Sequence, residues 1–384
     1  MSLDIHDLAA APCELLALGE PTHGEPAFPL VRNELFARLA ERGFRSIALE
    51  TDRAAALTVD DFVHGRTDPG LDTVMREGFS HGWGEQAATR QLVVWMREYN
   101  RGRPPGERLA LHGFDAPTEM VSAPSPRRHL EHARDFLGLD LDIAALTGDD
   151  ERWSRTEAVM DPAASVGATA EALRLRVVAD DLLTELHLRA PELVAATSHA
   201  AWTAARTHLT TALDLLRYHR AAAEPLEPAA RTSRMLGVRD AAMARNLLDI
   251  REHERHRGPT LVYAHNRHLQ GGPSRWTLAG MDLAWSGAGS IVRSLVGERY
   301  SFIAGSLGRS DAMRLAAPEP GTHESALDGR VGVWGLTEAV TAPSARVRTD
   351  PTPEQGYFPL DAETLATADA VLHIRDGAAA AASL

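Results

Sequence analysis

The stretch Glu14-Leu15-Leu16-Ala17-Leu18-Gly19-Glu20-Pro21-Thr22-His23-Gly24 decides how the chain is read. An unbroken apolar run, Leu15 to Leu18, is cut off by a turn holding Gly and Pro, the pattern of a short strand buried on both faces. A helical pattern follows over residues 28–42 and stops at Gly43, where a C-cap is expected. Residues 45–49 then open a second strand. Residues 108–111, 260–263, 300–304 and 370–374 read the same way, and residues 86–99 form the clearest of the later helical stretches. This alternation predicts an α/β fold, a mostly parallel sheet flanked by helices on both faces.

Between residues 126 and 258 the strand-like runs disappear. Ala/Leu/Arg-rich segments at 171–189, 192–220 and 231–256 carry helical spacing, punctuated by Pro191, Pro225 and Pro228. The expected organisation is an α/β core of residues 1–125 and 259–384, with residues 126–258 inserted as a helical subdomain that forms part of a pocket. Residues 306–363 are rich in Gly and Pro and poorly periodic. Residues 271–276 read as a mobile loop, and the Ala-rich tail after Asp376 reads as a fraying end.

Composition narrows the chemistry. All 40 residues counted as Lys plus Arg are arginine. Schiff-base, pyridoxal phosphate and P-loop mechanisms each need a lysine amine, so all three are excluded. In 384 residues, 44% hydrophobic and 24% charged side chains suffice for a substantial core. A formal charge of −13 argues against nucleic-acid or anionic-membrane partners. Cys13 is the single cysteine, which leaves no disulfide framework and no thiolate metal cage. The first residues carry Asp4 and Asp7 and no basic segment, and no apolar run reaches the roughly 18 residues of a membrane span. A cytoplasmic protein acting on a small-molecule substrate is expected, and nothing in the sequence sets its oligomeric state.

The polar residues gather behind the strands. After Leu18 come Glu20 and His23; after Leu49 come Glu50, Asp52 and Arg53. After Leu111 come His112 and Asp115, and after Tyr263 come His265, Asn266, Arg267 and His268. In open α/β sheets, ligands bind outside the carboxyl ends of the strands, so these groups converge on one crevice. Histidine titrates near neutrality and can take a proton from water, while a carboxylate on its other nitrogen fixes the tautomer. Glu20 stands three residues before His23, suited to that partnership; the plainer reading makes His23 a helix cap and Glu20 an arginine partner. A divalent metal is the competing reading, because Glu20, His23, Glu50, His265 and His268 are all acceptable ligands for zinc or manganese. The H-E-x-x-H spacing is absent, and the acid/base reading needs no cofactor.

Gly78-Phe79-Ser80-His81-Gly82 matches the G-x-S-x-G nucleophile elbow in letters. That elbow needs an apolar strand just before it, and residues 72–77 are charged, so Ser80 is read as a turn residue. Arg32 lies on the first helix, where it either reaches an acidic site or is solvated. Trp83, Trp95, Trp202, Trp276 and Trp285 are candidates for a pocket lining, though such residues are more often core.

Gly19-Glu20-Pro21-Thr22-His23-Gly24, Arg32, Glu50, His112-Gly113-Phe114-Asp115 and Ala264-His265-Asn266-Arg267-His268 follow one another in an order that resembles the erythromycin esterase family. The resemblance runs from about residue 15 to 376. It implies a hydrolase that opens a macrolide lactone with water and without a covalent intermediate. His23 would be the general base, with Glu20 and Glu50 positioning it and the water. Arg32, His265 and His268 would complete the site by polarising the carbonyl or binding substrate, and His112 and Asp115 are added as substrate-binding candidates. Two other readings stand beside this one. The same cluster could run a biosynthetic step such as cyclisation, elimination or acyl transfer, or it could sequester a ligand or metal without turnover.

Overall fold

The computed structural model describes residues 2–8, 12–340 and 344–384. Its strands are β1 (Ser2–Leu3), β2 (Leu15–Glu20), β3 (Ser46–Asp52), β4 (Ala110–Asp115), β5 (Thr260–His265), β6 (Pro273–Leu278), β7 (Met281–Ser286), β8 (Tyr300–Arg309), β9 (Trp334–Thr337) and β10 (Ala370–Asp376). Eight of them form one sheet in the order β1-β9-β10-β8-β2-β5-β3-β4. The strands read from the sequence are its parallel centre, β10-β8-β2-β5-β3-β4, and β9 runs antiparallel to β10. Each reaches past its apolar run to take in the polar residues that follow, so Glu20, Glu50, Asp115 and His265 belong to the strands themselves.

Alternation explains why these strands are apolar throughout. Leu16, Leu18, Ile47, Leu49, Leu261 and Tyr263 point to one face, where Phe28, Val31 and Leu35 of α1 (Ala27–Glu41) and Leu92 and Met96 of α2 (Ala87–Asn100) meet them. Leu15, Ala17, Ala48, Val262 and Ala264 point to the other face. With helices on both sides, neither face is left for polar residues.

Among the described residues no strand lies between Asp115 and Thr260. The helices α3 (Arg127–Leu137), α4 (Ala170–Leu188) and α5 (His199–Ala222) pack round a core of their own that includes Leu130, Leu175, Leu182, Leu209 and Leu216. The next helix, α6 (Pro228–Glu254), is 27 residues long and serves both bodies. Met235 packs with Tyr218 of α5, whereas Met243, Leu247 and Ile250 lie on the sheet. No helix among the described residues is long and apolar enough to cross a membrane.

Two sequence expectations are corrected. The region read as a mobile loop is a hairpin, β6 paired antiparallel with β7 and joined by Ala279 and Gly280. Both linking residues have positive φ, 49° and 79°, as a tight hairpin turn requires. Alanine at the first of them hides the usual Asn-Gly signal. The tail is not frayed either: after α7 (Asn266–Leu269) and α8 (Ala288–Val296), the last helix, α9 (Gly377–Ala382), is capped by Asp376 and buries Ala380 in the α1-side core. A helix of one glycine and five alanines has no periodic pattern to read.

One irregularity aims the site. Leu49 pairs with Gly113, but Asp52 pairs with Asp115, so β3 holds one extra residue against β4, a bulge at Glu50 and Thr51. Gly113 makes room for it, because a Cβ there would stand 2.6 Å from the carbonyl oxygens of Thr51 and Asp52. Those atoms are backbone and cannot swing aside. Gly113→Ala is therefore expected to destabilise the fold by about 2 kcal/mol or more, read as a lower urea midpoint. Gly106→Ala, with nothing near its Cβ, should stay within about 0.5 kcal/mol of wild type. Equal midpoints for the two variants would contradict this account of the bulge.

Candidate active site

Strands β2, β5 and β3 lie side by side and end together, with Glu20 level with His265. The turn after β2 brings His23 back over these ends. Its Nδ1 lies 2.7 Å from Glu20 Oε1, and the Tyr263 hydroxyl donates to the other oxygen of the same carboxylate. Nδ1–H is thus held, and Nε2 faces Glu50 Oε1 at 3.8 Å, beyond direct hydrogen-bond distance. The His23 side chain is 50% exposed, while Glu20 and Glu50 are buried. Burial disfavours the imidazolium, but the Glu50 and Glu20 carboxylates outweigh it and raise its pKa to about 9. At neutral pH the resting His23 is cationic.

Glu50 is the hub. Its Oε2 accepts the His265 backbone N–H at 2.8 Å, and its Oε1 lies 3.3 Å from His268 Nε2 and 3.4 Å from Arg239 Nη2. Burial pushes its pKa up, yet His268, His23 and Arg239 prevail and bring it to about 2. His268 is fixed from behind: its Nδ1 lies 2.9 and 3.1 Å from the two oxygens of Asp240. Asp240 also accepts from Trp285 Nε1 and from the Ala288 backbone, each at 2.8 Å. Burial lowers the His268 pKa, but Asp240 and Glu50 outweigh it and the net shift is upward.

His265 is a histidine of the opposite kind. Burial first, then the neighbouring His23, holds its pKa well below the ordinary value, so its ring is neutral. Its Nδ1 accepts the Arg267 backbone N–H at 3.2 Å, which leaves the proton on Nε2. That Nε2 is buried and has no hydrogen-bond partner among the described residues. Its ring centre is 5.5 Å from that of His23 and 4.7 Å from that of Phe358.

The structure brings Glu20, His23, Glu50, His265 and His268 together, and places the other candidates differently. Asp115 sits one layer behind, taking Arg239 Nε at 3.0 Å and His81 Nε2 at 3.2 Å. Its two cationic partners overcome burial and drive its pKa far down. Arg32 is buried below the site, its guanidinium 4.9 Å from the Tyr263 ring centre and bonded to Asn33 Oδ1 at 2.9 Å. His112 is not part of the cluster. It pairs in mid-strand with Ala48, bonds Glu254 at 2.8 Å, and lines a separate cavity of about 740 Å³.

Ser80 is no nucleophile elbow: a helix, Leu71–Glu77, precedes it, and its Oγ accepts the Asp52 backbone N–H at 2.8 Å. Trp83 packs edge-on to His23, with ring centres 6.2 Å apart. Arg239, Asp240 and Tyr263 escaped the sequence reading. A signal existed for the first two: Arg239 and Asp240 fall on the helix stripe otherwise buried as Met235, Met243 and Leu247. A charged pair on a buried stripe needs a partner, and Glu50, Asp115 and His268 supply it. Among the described residues no group of three or more His, Cys, Asp or Glu side chains is arranged to hold a metal ion.

Comparison with known proteins agrees with this fold. Solved structures that resemble it include a Bacillus cereus protein, 14% identical, with a TM-score of 0.65 over 97% of this chain and 90% of that one. A histidine-to-asparagine variant of the erythromycin esterase EreC in its open conformation is 19% identical, with a TM-score of 0.66 over 97% of this chain and 94% of its own. A protein described as a succinoglycan biosynthesis protein is 16% identical, with a TM-score of 0.60 over 97% and 90%. At these identities the likeness is one of fold. No curated protein sequence matches. The family model for erythromycin esterase, in contrast, matches residues 39–377, a range that contains Glu50, Arg239, Asp240, His265 and His268 and begins after Glu20 and His23. The chain belongs to the erythromycin esterase family.

Proposed function

We propose that the protein is a hydrolase that opens a lactone, or cleaves another ester, with water activated by His23 and without a covalent intermediate. The observation that carries this reading is the pairing of two unlike histidines. His23 has Nδ1 locked on Glu20 and Nε2 facing Glu50 across 3.8 Å. Close by, His265 offers a buried Nε2–H with no partner among the described residues. That separation is too wide for a direct hydrogen bond, and a water that touches both His23 Nε2 and Glu50 would sit to one side of the line between them.

In the reaction, neutral His23 takes one proton from that water as its oxygen adds to the carbonyl carbon. The carbonyl oxygen becomes an oxyanion and accepts the hydrogen bond from His265 Nε2–H. Collapse breaks the ester C–O bond, and the alkoxide leaves with the proton that His23 had taken. Glu50 stays ionised throughout and supports the imidazolium as it forms. Ser80 is committed to the β3 turn, which fits a route with no acyl-enzyme. A macrolide-type lactone is the substrate class that family membership favours, on a cytoplasmic small molecule and with no cofactor or metal in the chemistry.

Two measurements test this. His23→Ala should lower kcat on a macrolide or other lactone by about 100- to 10,000-fold while the urea midpoint holds. The wild-type product should gain the mass of one water. Wild-type turnover in the variant, or a product of unchanged mass as cyclisation or elimination would give, sinks the proposal. The second is a pH profile. A base must be neutral to act, so kcat/KM should climb with pH and level off above an apparent pKa near 9. Glu20→Gln removes one of the charges that hold the proton on His23, so its limb should move to lower pH. A limb at the ordinary histidine value, unmoved by that change, would contradict the assignment of His23.

A further inference from the structure

The face of α6 that turns away from the site carries a second chemistry. Arg234, Val238, Ala241 and Arg245 form one stripe on it, at the four–three–four spacing of a single helix face. Arg217 and Arg220 of α5 and Arg176 of α4 close around this stripe, and together they line a cavity of about 330 Å³. The floor is apolar, built from Ala221, Val238 and Ala241.

The cavity is over-supplied with positive charge. Arg217 and Arg245 share one carboxylate, the buried Asp214, and Arg234 has Glu224 at 3.7 Å. Arg176 and Arg220 have no ion-pair or hydrogen-bond partner among the described residues. Five guanidinium groups thus stand against the two carboxylates that pair with them, a surplus of three charges. In a chain of net charge −13 this concentration is the reverse of the general balance. Holding like charges round a concavity costs Coulomb energy that solvent only partly screens. A scattering of solvated arginines would incur none of that cost, and an anion seated in the cavity would cancel it.

We propose that this cavity is a binding site for a small-molecule polyanion with about three clustered negative charges, such as a diphosphate group presents, held by Arg176 and Arg220 with Arg217, Arg234 and Arg245. Arginine suits that task, because its planar fork meets phosphate or carboxylate oxygens two at a time. The site is separate from the hydrolytic centre. Arg239 and Asp240, which serve that centre, point from the opposite side of the same helix.

Calorimetric titration of the full chain with inorganic pyrophosphate tests the proposal, with citrate and acetate as comparators. Saturable binding of one pyrophosphate per chain is expected, weaker at higher salt. The Arg176→Gln/Arg220→Gln double variant should lose at least about ten-fold in affinity, since each removes a charge-assisted contact. Both side chains are solvent-accessible and, among the described residues, unpaired, so their loss relieves like-charge repulsion and the unfolding midpoint without ligand should not fall below the wild-type value. Pyrophosphate binding above citrate assigns a phosphate ligand, and the reverse order assigns a polycarboxylate; either supports the site. No saturable binding, equal affinity for monovalent acetate, or undiminished affinity in the double variant would overturn it.

Discussion

A carboxylate taken out of water is costly, by several kcal/mol even after the surroundings relax. Glu50 is such a carboxylate, and the active-site region is arranged to keep it ionised. A backbone N–H from β5, the His268 ring from α7, Arg239 from α6 and His23 from the turn after β2 all converge on its two oxygens. Each comes from a different segment, so the ionised state of Glu50 and the relative placement of those segments are one condition. The bulge in β3 is the local device that turns the side chain toward β5.

From Glu50 the charges alternate outward. One line runs through His268 to Asp240, which is itself tied to Trp285 of the hairpin and to the start of α8. The other runs through Arg239 to Asp115 and His81. Fully partnered polar networks of this kind resist rearrangement, because any member left alone in a dry interior is penalised. Among the described residues, two groups at the reactive end of this network are left incomplete: His23, half open to solvent, and His265, with its buried and unused Nε2–H. In the hydrolytic reading proposed above, an acyl substrate would meet a site whose dipoles are already in place, the arrangement that lowers a barrier without reorganisation.

Much of this was legible in the sequence. The six parallel strands announced themselves as apolar runs, because helices on both faces forbid polar residues there. The cluster Glu20, His23, Glu50, His265 and His268 was legible because strands of one sheet end at one level. His112 was misplaced for a related reason: apolar content stops at Leu111, but β4 continues to Asp115, so His112 sits inside the strand and not beyond it. The hairpin was hidden by alanine in a left-handed position, and α9 by a composition without contrast. Arg239 and Asp240 are remote in sequence from every strand end. Their place on the buried stripe of α6 marks them as needing partners, but only the three-dimensional course of that helix shows which partners those are.

The course of α6 has a further consequence, for how such a protein can diversify. The helix begins among the inserted helices and finishes on the sheet, and it contributes Arg239 and Asp240 on the way. Exchanging the whole inserted segment between two genes would carry those two residues off with it and strand Glu50 and His268 without their anchors. The practicable unit of exchange is shorter: α3 to α5, which share a core of their own, can be recombined while α6 stays. Sequence variation is therefore expected to accumulate before residue 228, and the helix after it to be inherited with the sheet.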